Sequence, residues 1–250
     1  MFRVVYTAYT WMVAVPLVLL STVFFGLLCL STAPFIGPRR AGRLCGVPWA
    51  RFGLFITGSS VNVSGRENMD PQQSYVIVAN HLSLYDIWVL YGYLDVDFRW
   101  VAKQELRQVP IVGTACVALG HVFIDRSNTE RAKASLAHAK TQLVRGTSIL
   151  FFPEGTRSRD GDLRPFKRGA FHMAVEMQLP VLPVVIIGTR EILPPDGLWQ
   201  TPGQADILIQ PPLPVRGSGD PEVERLMSDS RQAISNTLEA AGHVGIIQQG

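Results

Sequence analysis

A histidine and an aspartate lie five positions apart in the segment NHLSLYD, which covers residues 80–86. Imidazole and carboxylate side chains are suited to general-base chemistry as a pair, because the carboxylate can hold the ring and leave its second nitrogen able to take a proton. The spacing does not suit a regular element: on an α-helix the two positions lie roughly 140° apart, and on a strand they face opposite sides. If His81 and Asp86 act together, the chain must change direction between them.

The residues around this pair predict that change of direction. SYVIVAN (74–80) has the composition of a short buried strand, and the residues from Ser83 to Asp86 fit the S-x-x-[DE] capping box that begins a helix. With Ser83 as the N-cap, Asp86 lies in the first turn and can accept the ring N–H of His81. Open α/β sheets place their sites at the carboxyl ends of strands. Taken alone, the same spacing is also typical of a helix cap beside an ordinary loop histidine.

A second polar segment, FFPEGTRSRDGDLRPFKRGA (151–170), follows another predicted strand. Between positions 157 and 168 it contains five basic residues against two aspartates, and a planar guanidinium suits bidentate contacts with phosphate. Gly155 and Thr156 can bring backbone N–H groups close to an anion. Glu154 would fit a phosphate site only by orienting an arginine or the loop itself. From these residues alone, a phosphate site and a solvated basic loop are equal alternatives.

Several other chemistries are excluded by the motifs that the sequence lacks. There is no G-x-S-x-G elbow, no phosphate-binding G-x-x-x-x-G-K-[ST] loop and no G-x-G-x-x-G turn. The five histidines show no metal-ligand spacing, and the three cysteines, which lie in apolar stretches, form no CxxC. We therefore expect no metal and no cofactor, and we expect His81 to activate a hydroxyl group or water of the substrate. Reduced cysteines are compatible with a cytoplasmic main body.

The N-terminal segment has the composition of a membrane anchor. No charged residue occurs from Val4 to Pro38, and the apolar run at 11–30 is long enough to cross about 30 Å of hydrocarbon as a helix. A cleaved signal peptide is disfavoured, because the run is too long and no small-residue cleavage site follows it. Basic residues follow the run more densely than they precede it, which places the rest of the chain on the cytoplasmic side of an inner membrane.

The stretch VPWARFGLFITGSS (47–60) is too short and too basic to span a bilayer alone. Two alternatives are open: it lies in the interface as an amphipathic helix, or it turns back on the first run as a two-helix hairpin. Residues 1–66 contain six arginines and no acidic residue, which suits an anionic membrane surface. Whether the pair spans the bilayer or inserts in one leaflet stays open.

The rest of the chain predicts an α/β domain with a largely parallel sheet flanked by helices, because short apolar runs alternate with helical patterns. We expect residues 1–60 to form the membrane-anchoring helical pair and 61–250 to form the α/β domain. Helices are predicted at 129–146 and, as the last element, at 222–241, and the segment LPPDGLWQTPG (193–203) is predicted to be a surface loop. The predicted strands are SYVIVAN (74–80), FRWVAK (98–103), HVFIDR (121–126), TSILFFP (147–153), LPVLPVVIIG (179–188) and ADILIQ (205–210).

Four sequence blocks in order resemble the glycerolipid acyltransferases, and most closely the 1-acylglycerol-3-phosphate acyltransferases. The segment WVAKQELRQVPIVGTACVALG between the first two blocks is also similar to the family's K-x-E-L…P-x-x-G connection. The resemblance covers about 74–190 and implies the glycerol-3-phosphate acyltransferase-like fold. The blocks are N-H-x-x-x-x-D at 80–86, G-x-x-F-I-D-R at 120–126, F-P-E-G-T-R-S at 152–158 and L-P-V-L-P-V at 179–184.

The resemblance also implies roles for individual residues. His81 would be the general base for the acceptor hydroxyl, which attacks an acyl thioester directly, and Asp86 would orient it. Arg157 would contact the phosphate of a lysophosphatidate acceptor, with Lys103 and Arg126 as further basic contacts. The remaining residues of the acceptor-binding block would be Glu154, Gly155 and Thr156.

The function implied is transfer of a fatty acyl group from acyl-CoA or acyl-carrier protein to the sn-2 hydroxyl of 1-acyl-sn-glycerol 3-phosphate, giving phosphatidic acid. The implied partners are the lysophospholipid acceptor, the acyl donor and the bilayer, with no nucleic acid. One alternative is another lysolipid acceptor, such as a lyso-ornithine lipid or a lysophospholipid. A second alternative is a non-catalytic lipid-binding or lipid-transfer protein. The donor type and the preferred acyl-chain length are left open.

Overall fold

The protein is an α/β domain with an N-terminal helical hairpin packed against it. The computed structural model describes residues 2–125, 134–137, 140, 146–197 and 199–242. Within these residues seven strands form one sheet in the order β1-β7-β6-β2-β5-β3-β4. The strands are β1 (Ser60–Ser64), β2 (Val76–Ala79), β3 (Asp97–Lys103), β4 (Val122–Ile124), β5 (Thr147–Phe151), β6 (Val181–Ile187) and β7 (Gln204–Ile209).

The sheet is parallel except at one pair of strands. β6 and β7 are antiparallel, whereas every other neighbouring pair is parallel. All six strands predicted from the sequence are present. β1 was not predicted: it alternates exposed and half-buried residues at one edge of the sheet, so only Val61 and Val63 give an apolar signal.

Helices cover both faces of the sheet, as the alternating strand pattern predicted. Ile77 and Ala79 of β2 pack in one apolar cluster, and Val76 and Val78 pack in the cluster on the opposite face. This alternation follows from the two-residue period of a strand. The helices of the domain are α4 (Tyr85–Tyr93), α5 (Val112–Ala118), α6 (Gly169–Met177), α7 (Thr189–Ile192) and α8 (Gly219–Ala240). Short 3-10 segments cover Arg66–Asn68 and Gln104–Gln108.

Residues 2–56 form a hairpin of two helical limbs. Gly37 has φ 79° and ψ 163°, a conformation that breaks the helix and that glycine adopts without steric cost. Tyr6 donates to the carbonyl of Thr57 and Trp49 donates to Thr22, each across the two limbs. Of the two arrangements left open by the sequence, the hairpin is therefore the one observed. Its helices are α1 (Phe2–Tyr9), α2 (Val15–Ala41) and α3 (Val47–Ile56), joined by π-helical turns at Thr10–Ala14 and Gly42–Gly46.

The hairpin lies against the domain along its length. Cys29 and Cys45, one from each limb, share an apolar cluster with Leu119, and Tyr91 of α4 packs against it. The Arg51 guanidinium donates to the carbonyl of Gly92 at 2.8 Å. The outer side of the hairpin, in contrast, exposes many large apolar side chains. By length and composition, Val4–Ile56 is the helical segment within the described residues that could cross a membrane.

The predicted helix at 129–146 falls largely outside the described residues. Residues 134–137 within it are helical. The predicted C-terminal helix at 222–241 corresponds to α8, and the predicted surface loop at 193–203 connects α7 to β7.

Candidate active site

The candidate site lies at the carboxyl ends of three adjacent strands. β2 lies between β5 and β6 and is parallel to both, so the carboxyl ends of all three strands meet at one edge of the sheet. His81 follows β2 and Glu154 follows β5. Thr189 follows β6. This edge is where the sequence placed the site.

His81 and Asp86 form the predicted pair. Nδ1 of His81 lies 2.8 Å from Oδ2 of Asp86, whose side chain is fully buried. A carboxylate can only accept hydrogen bonds, so the ring proton resides on Nδ1. Nε2 of His81 is then the nitrogen that can take a proton from a substrate.

The backbone also holds the Asp86 carboxylate. Oδ2 of Asp86 accepts from the N–H groups of Leu82 at 2.7 Å and Ser83 at 2.9 Å. The bond from Ser83 N–H is half of the predicted capping box. The other half is absent, because Ser83 Oγ accepts from Tyr85 N–H and donates to Leu193 C=O. The helix begins at Tyr85 with Leu84 as its N-cap, one residue later than predicted.

The Glu154 carboxylate is buried and bonds to the backbone of His81. Oε1 accepts from the backbone N–H of His81 at 2.8 Å, and Oε2 accepts from the backbone N–H of Arg164 at 3.0 Å. Burial raises the pKa of Glu154 to about 7, against the lowering effect of those two N–H groups. Both carboxylate oxygens thus have backbone partners, as expected for a residue that orients the loop.

A second backbone bond joins the same loop to His81. The N–H of Ser158 donates to the carbonyl of His81 at 2.8 Å. The N–H and the C=O of His81 are therefore both bonded to the segment 154–158. This segment and His81 form one hydrogen-bonded unit.

Basic side chains lie beside the turn at Gly155. Gly155 has φ +76°, and a Cβ added there would lie 2.8 Å from both Cε and Nζ of Lys167, so this lysine lies over the glycine turn. Thr156 is exposed. Arg157 is half-buried, and its Nη1 donates to the carbonyl of Pro195 at 2.9 Å. The turn therefore has two basic side chains beside it.

The two remaining predicted residues differ in what the structure says of them. Lys103 is exposed and is the last residue of β3, at the carboxyl end of the strand next to β5. Arg126 lies outside the described residues. Its predicted contact with the acceptor stays a prediction.

Comparison with known proteins identifies the family. Residues 60–187 of the 250 match the Acyltransferase family, a range that includes both His81 and the 154–158 loop. The chain belongs to the acyltransferase family. The resemblance inferred from the sequence blocks is thereby confirmed.

Relatives of this acyltransferase-family chain carry more specific names. 1-Acyl-sn-glycerol-3-phosphate acyltransferase alpha of Homo sapiens is 34% identical over 181 residues, which are 72% of this chain and 64% of the human protein. A 1-acyl-sn-glycerol-3-phosphate acyltransferase of Chlamydomonas reinhardtii is 35% identical over 180 residues, which are 71% of this chain and 53% of that protein. The chain therefore spans less than two thirds of the length of each of these two relatives.

A solved structure resembles this family member over nearly its whole length. The crystal structure of the 1-acyl-sn-glycerophosphate (LPA) acyltransferase PlsC from Thermotoga maritima matches with a TM-score of 0.79 and 28% identity. The match covers 97% of each chain, so it includes the N-terminal hairpin as well as the sheet. The predicted fold is confirmed.

The acyltransferase site also contains residues that sequence reasoning missed. Thr189 Oγ1 donates to Oδ1 of Asp86 at 2.5 Å. The Asn80 amide bonds both ways to the backbone of Ile186, at 2.8 Å each, and so fastens β2 to β6. The His81 ring stacks on Phe152 with a centroid separation of 3.9 Å. Asn80 and Phe152 belong to the sequence blocks at 80–86 and 152–158 but were given no role, whereas Thr189 lies outside the blocks and its only signal was its position just after the buried strand β6.

Proposed function

We propose that the chain transfers a fatty acyl group from a thioester donor, acyl-CoA or acyl-carrier protein, to the sn-2 hydroxyl of 1-acyl-sn-glycerol 3-phosphate. One observation carries the proposal: the His81–Asp86 pair is bonded through its backbone to the loop that bears Arg157. A hydroxyl acceptor needs a base, and its phosphate needs a cation. Both groups are supplied by one hydrogen-bonded unit. The names of the relatives give the same acceptor.

In the proposed reaction, Nε2 of His81 removes the proton of the acceptor hydroxyl as its oxygen attacks the thioester carbonyl. The new C–O bond forms and the C–S bond breaks, and the departing thiolate takes the proton from the imidazolium. The products are an ester and a thiol, and His81 returns to its starting state. Asp86 holds the ring and stabilises the imidazolium while it exists. A general base of this kind typically supplies about 10²–10⁴-fold in rate.

The 154–158 loop binds the acceptor in this proposal. Arg157 contacts the phosphate, and Lys103 and Lys167 are further cations at the same edge of the sheet. Arg126 is proposed as a further basic contact. Gly155 and Thr156 bring backbone close to the anion, while Glu154 holds the loop and His81 in register. Because the loop binds the phosphate at a fixed distance from His81, the acceptor hydroxyl is positioned against the thioester.

The hairpin anchors the domain to one leaflet of the membrane. Its outer side exposes Met12 at 78%, Phe35 at 86% and Phe55 at 77% of their surface, whereas its inner side packs on the domain along both limbs. A hairpin held in this way presents an apolar face to lipid without crossing the bilayer. Because an acyl chain costs about 0.8 kcal/mol per CH₂ to expose to water, a site at the bilayer surface avoids that cost. We place the domain on the cytoplasmic side of the inner membrane.

A panel of acceptors with one labelled acyl donor tests the proposed function. The purified full chain in mixed micelles is given lysophosphatidate, a lyso-ornithine lipid, lysophosphatidylcholine and monoacylglycerol, and labelled product and released thiol are measured. We expect the highest kcat/KM with lysophosphatidate and thiol release that depends on the acceptor. A higher kcat/KM with a different lysolipid would mean that the proposed acceptor is wrong. Binding of lysolipid without thiol release would indicate a lipid carrier rather than an enzyme.

A further inference from the structure

Thr189 is a buried residue that contacts the proposed catalytic pair without being part of it. It is the first residue of α7, directly after β6 and Gly188, and it is fully buried. Its Oγ1 donates to Oδ1 of Asp86 at 2.5 Å, across 103 positions of sequence. Oδ1 is the carboxylate oxygen that does not bond to His81.

The two oxygens of Asp86 therefore have different partners. Oδ2 accepts from His81 Nδ1, Leu82 N–H and Ser83 N–H, and Oδ1 accepts from Thr189. A carboxylate turns easily about its last side-chain bond, because terminal sp³–sp² torsions are broad. A donor fixed to Oδ1 opposes that rotation and keeps Oδ2 directed at the imidazole.

The backbone holds the Thr189 hydroxyl in place. β6, which precedes it, is paired with β2 on one side and β7 on the other, and Asn80 bonds to Ile186 from the histidine side of the sheet. The carbonyl of Thr189 accepts from Leu193 N–H at 3.0 Å, which closes the α7 turn. The hydroxyl is thus carried by a rigid element, as is needed to hold a group within a fraction of an ångström.

We infer that Thr189 is a positioning residue of the acyltransferase centre, whose hydroxyl fixes the Asp86 carboxylate so that it orients His81. The expected effect on turnover rests on the proposed function. The expected effect on the hydrogen bond between His81 and Asp86 does not, because that bond can be observed without substrate.

The test compares Thr189→Val, which removes the hydroxyl at almost constant shape, with Thr189→Ser, which keeps it. We expect kcat to fall about 10–100-fold in Thr189→Val, because a small misplacement of a reacting group lowers the rate by factors of this size. KM for donor and acceptor should stay within about twofold of wild type. Thr189→Ser restores most of kcat. Thr189→Ala gives a second measurement of the missing hydroxyl if the valine does not fit.

Thr147→Val is a matched control. Thr147 is also buried, and its Oγ1 donates to the Asp97 carboxylate at 2.9 Å, but at the opposite, amino end of the sheet. Thr147→Val removes the same kind of hydrogen bond as Thr189→Val. We therefore expect it to lose a similar amount of thermal stability while its kcat stays unchanged. Equal losses of kcat in Thr147→Val and Thr189→Val would reduce Thr189 to a structural role and overturn the inference.

The His81 Nδ1–H proton resonance gives a readout that needs no turnover. We expect it downfield in wild type and Thr189→Ser, and shifted or lost in Thr189→Val. An unchanged resonance with unchanged kcat in Thr189→Val would refute the positioning role. If wild type transfers no acyl group while the resonance still responds to Thr189→Val, the proposed function fails and the positioning contact stands.

Discussion

The backbone N–H of His81 donates to Oε1 of Glu154 over 2.8 Å, and this contact joins the proposed base to the proposed acceptor loop. The other oxygen of Glu154 accepts from the Arg164 N–H, further along the same loop. An acidic residue inside a cationic loop is explained by this arrangement. It accepts hydrogen bonds from two backbone segments, and so holds in register the segments that are proposed to bind the phosphate and the hydroxyl of the acceptor.

Glu154→Gln should therefore impair turnover more than binding. The amide has one oxygen, so its NH₂ group must face one of the two backbone N–H groups, and two donors cannot bond. We expect kcat to fall about 10²-fold through displacement of His81. Steady-state kinetics with both substrates measure this. Glu224→Gln, at an exposed position of α8, is the control and should have wild-type kcat. Wild-type kcat in Glu154→Gln would mean that the bond from Glu154 does not position His81.

Arg157→Ala should weaken the use of phosphorylated acceptors. A charge-assisted hydrogen bond is worth about 1.5–3 kcal/mol, so KM for lysophosphatidate should rise by about 10–100-fold, while KM for the acyl donor stays constant. Arg159→Ala is the control, since Arg159 is 75% exposed and paired with Asp196. The phosphate assignment is wrong if the two variants have the same KM for lysophosphatidate.

Charge placed on the outer side of the hairpin should weaken membrane binding. Phe35 and Met12 expose 86% and 78% of their surface there. Burying one such side chain in lipid is worth about 1.5–3 kcal/mol, so Phe35→Glu with Met12→Glu should lower partitioning to anionic vesicles at least about 10-fold. Vesicle flotation measures it. Asn236→Glu on α8 adds charge away from the hairpin and should bind as wild type does. Equal partitioning of both variants would argue against the anchor.

His121 should make the fold sensitive to acid. Burial, together with the charge of Arg99, lowers the pKa of His121 to about 3, from an ordinary value of 6.5. The unfolded chain therefore takes up a proton as the pH falls below 6.5 while the folded chain does not, so stability is lost toward acid, by up to about 1.4 kcal/mol per pH unit. Chemical denaturation between pH 7 and about pH 4 measures this loss.

His121→Asn isolates this contribution. Nδ1 of His121 accepts from the Trp100 N–H, and an asparagine oxygen can replace it without titrating. The stability of His121→Asn should therefore fall less steeply toward acid than that of wild type. Parallel curves for the two proteins would mean that His121 is not held neutral.

Much of the fold could be predicted because its signal is local. β2, β4, β5 and β6 are buried, mostly apolar runs, and a four-residue stretch such as VIVA needs no distant information to be recognised. β1 was missed because its residues are half polar and it lies at an edge. The His81–Asp86 pair was also local, since one strand end and one helix start set its geometry.

The rest of the site depends on contacts between distant parts of the chain. Thr189 reaches Asp86 across 103 positions, and Glu154 reaches His81 across 73. No spacing within one segment encodes these pairs; they arise because β2, β5 and β6 are neighbours in the sheet. Sequence blocks show which strand ends carry polar residues, while strand order decides which of those residues meet.

His81→Ala tests the proposed role of His81 as the base for acyl transfer to the acceptor hydroxyl. Single-turnover transfer from labelled acyl-CoA to lysophosphatidate is measured with wild type and variant, together with lysophosphatidate binding. We predict that the rate falls by at least about 10²-fold with acceptor affinity unchanged, because Arg157 and the loop remain. Equal single-turnover rates in the two proteins would contradict the proposed role of His81 as the base.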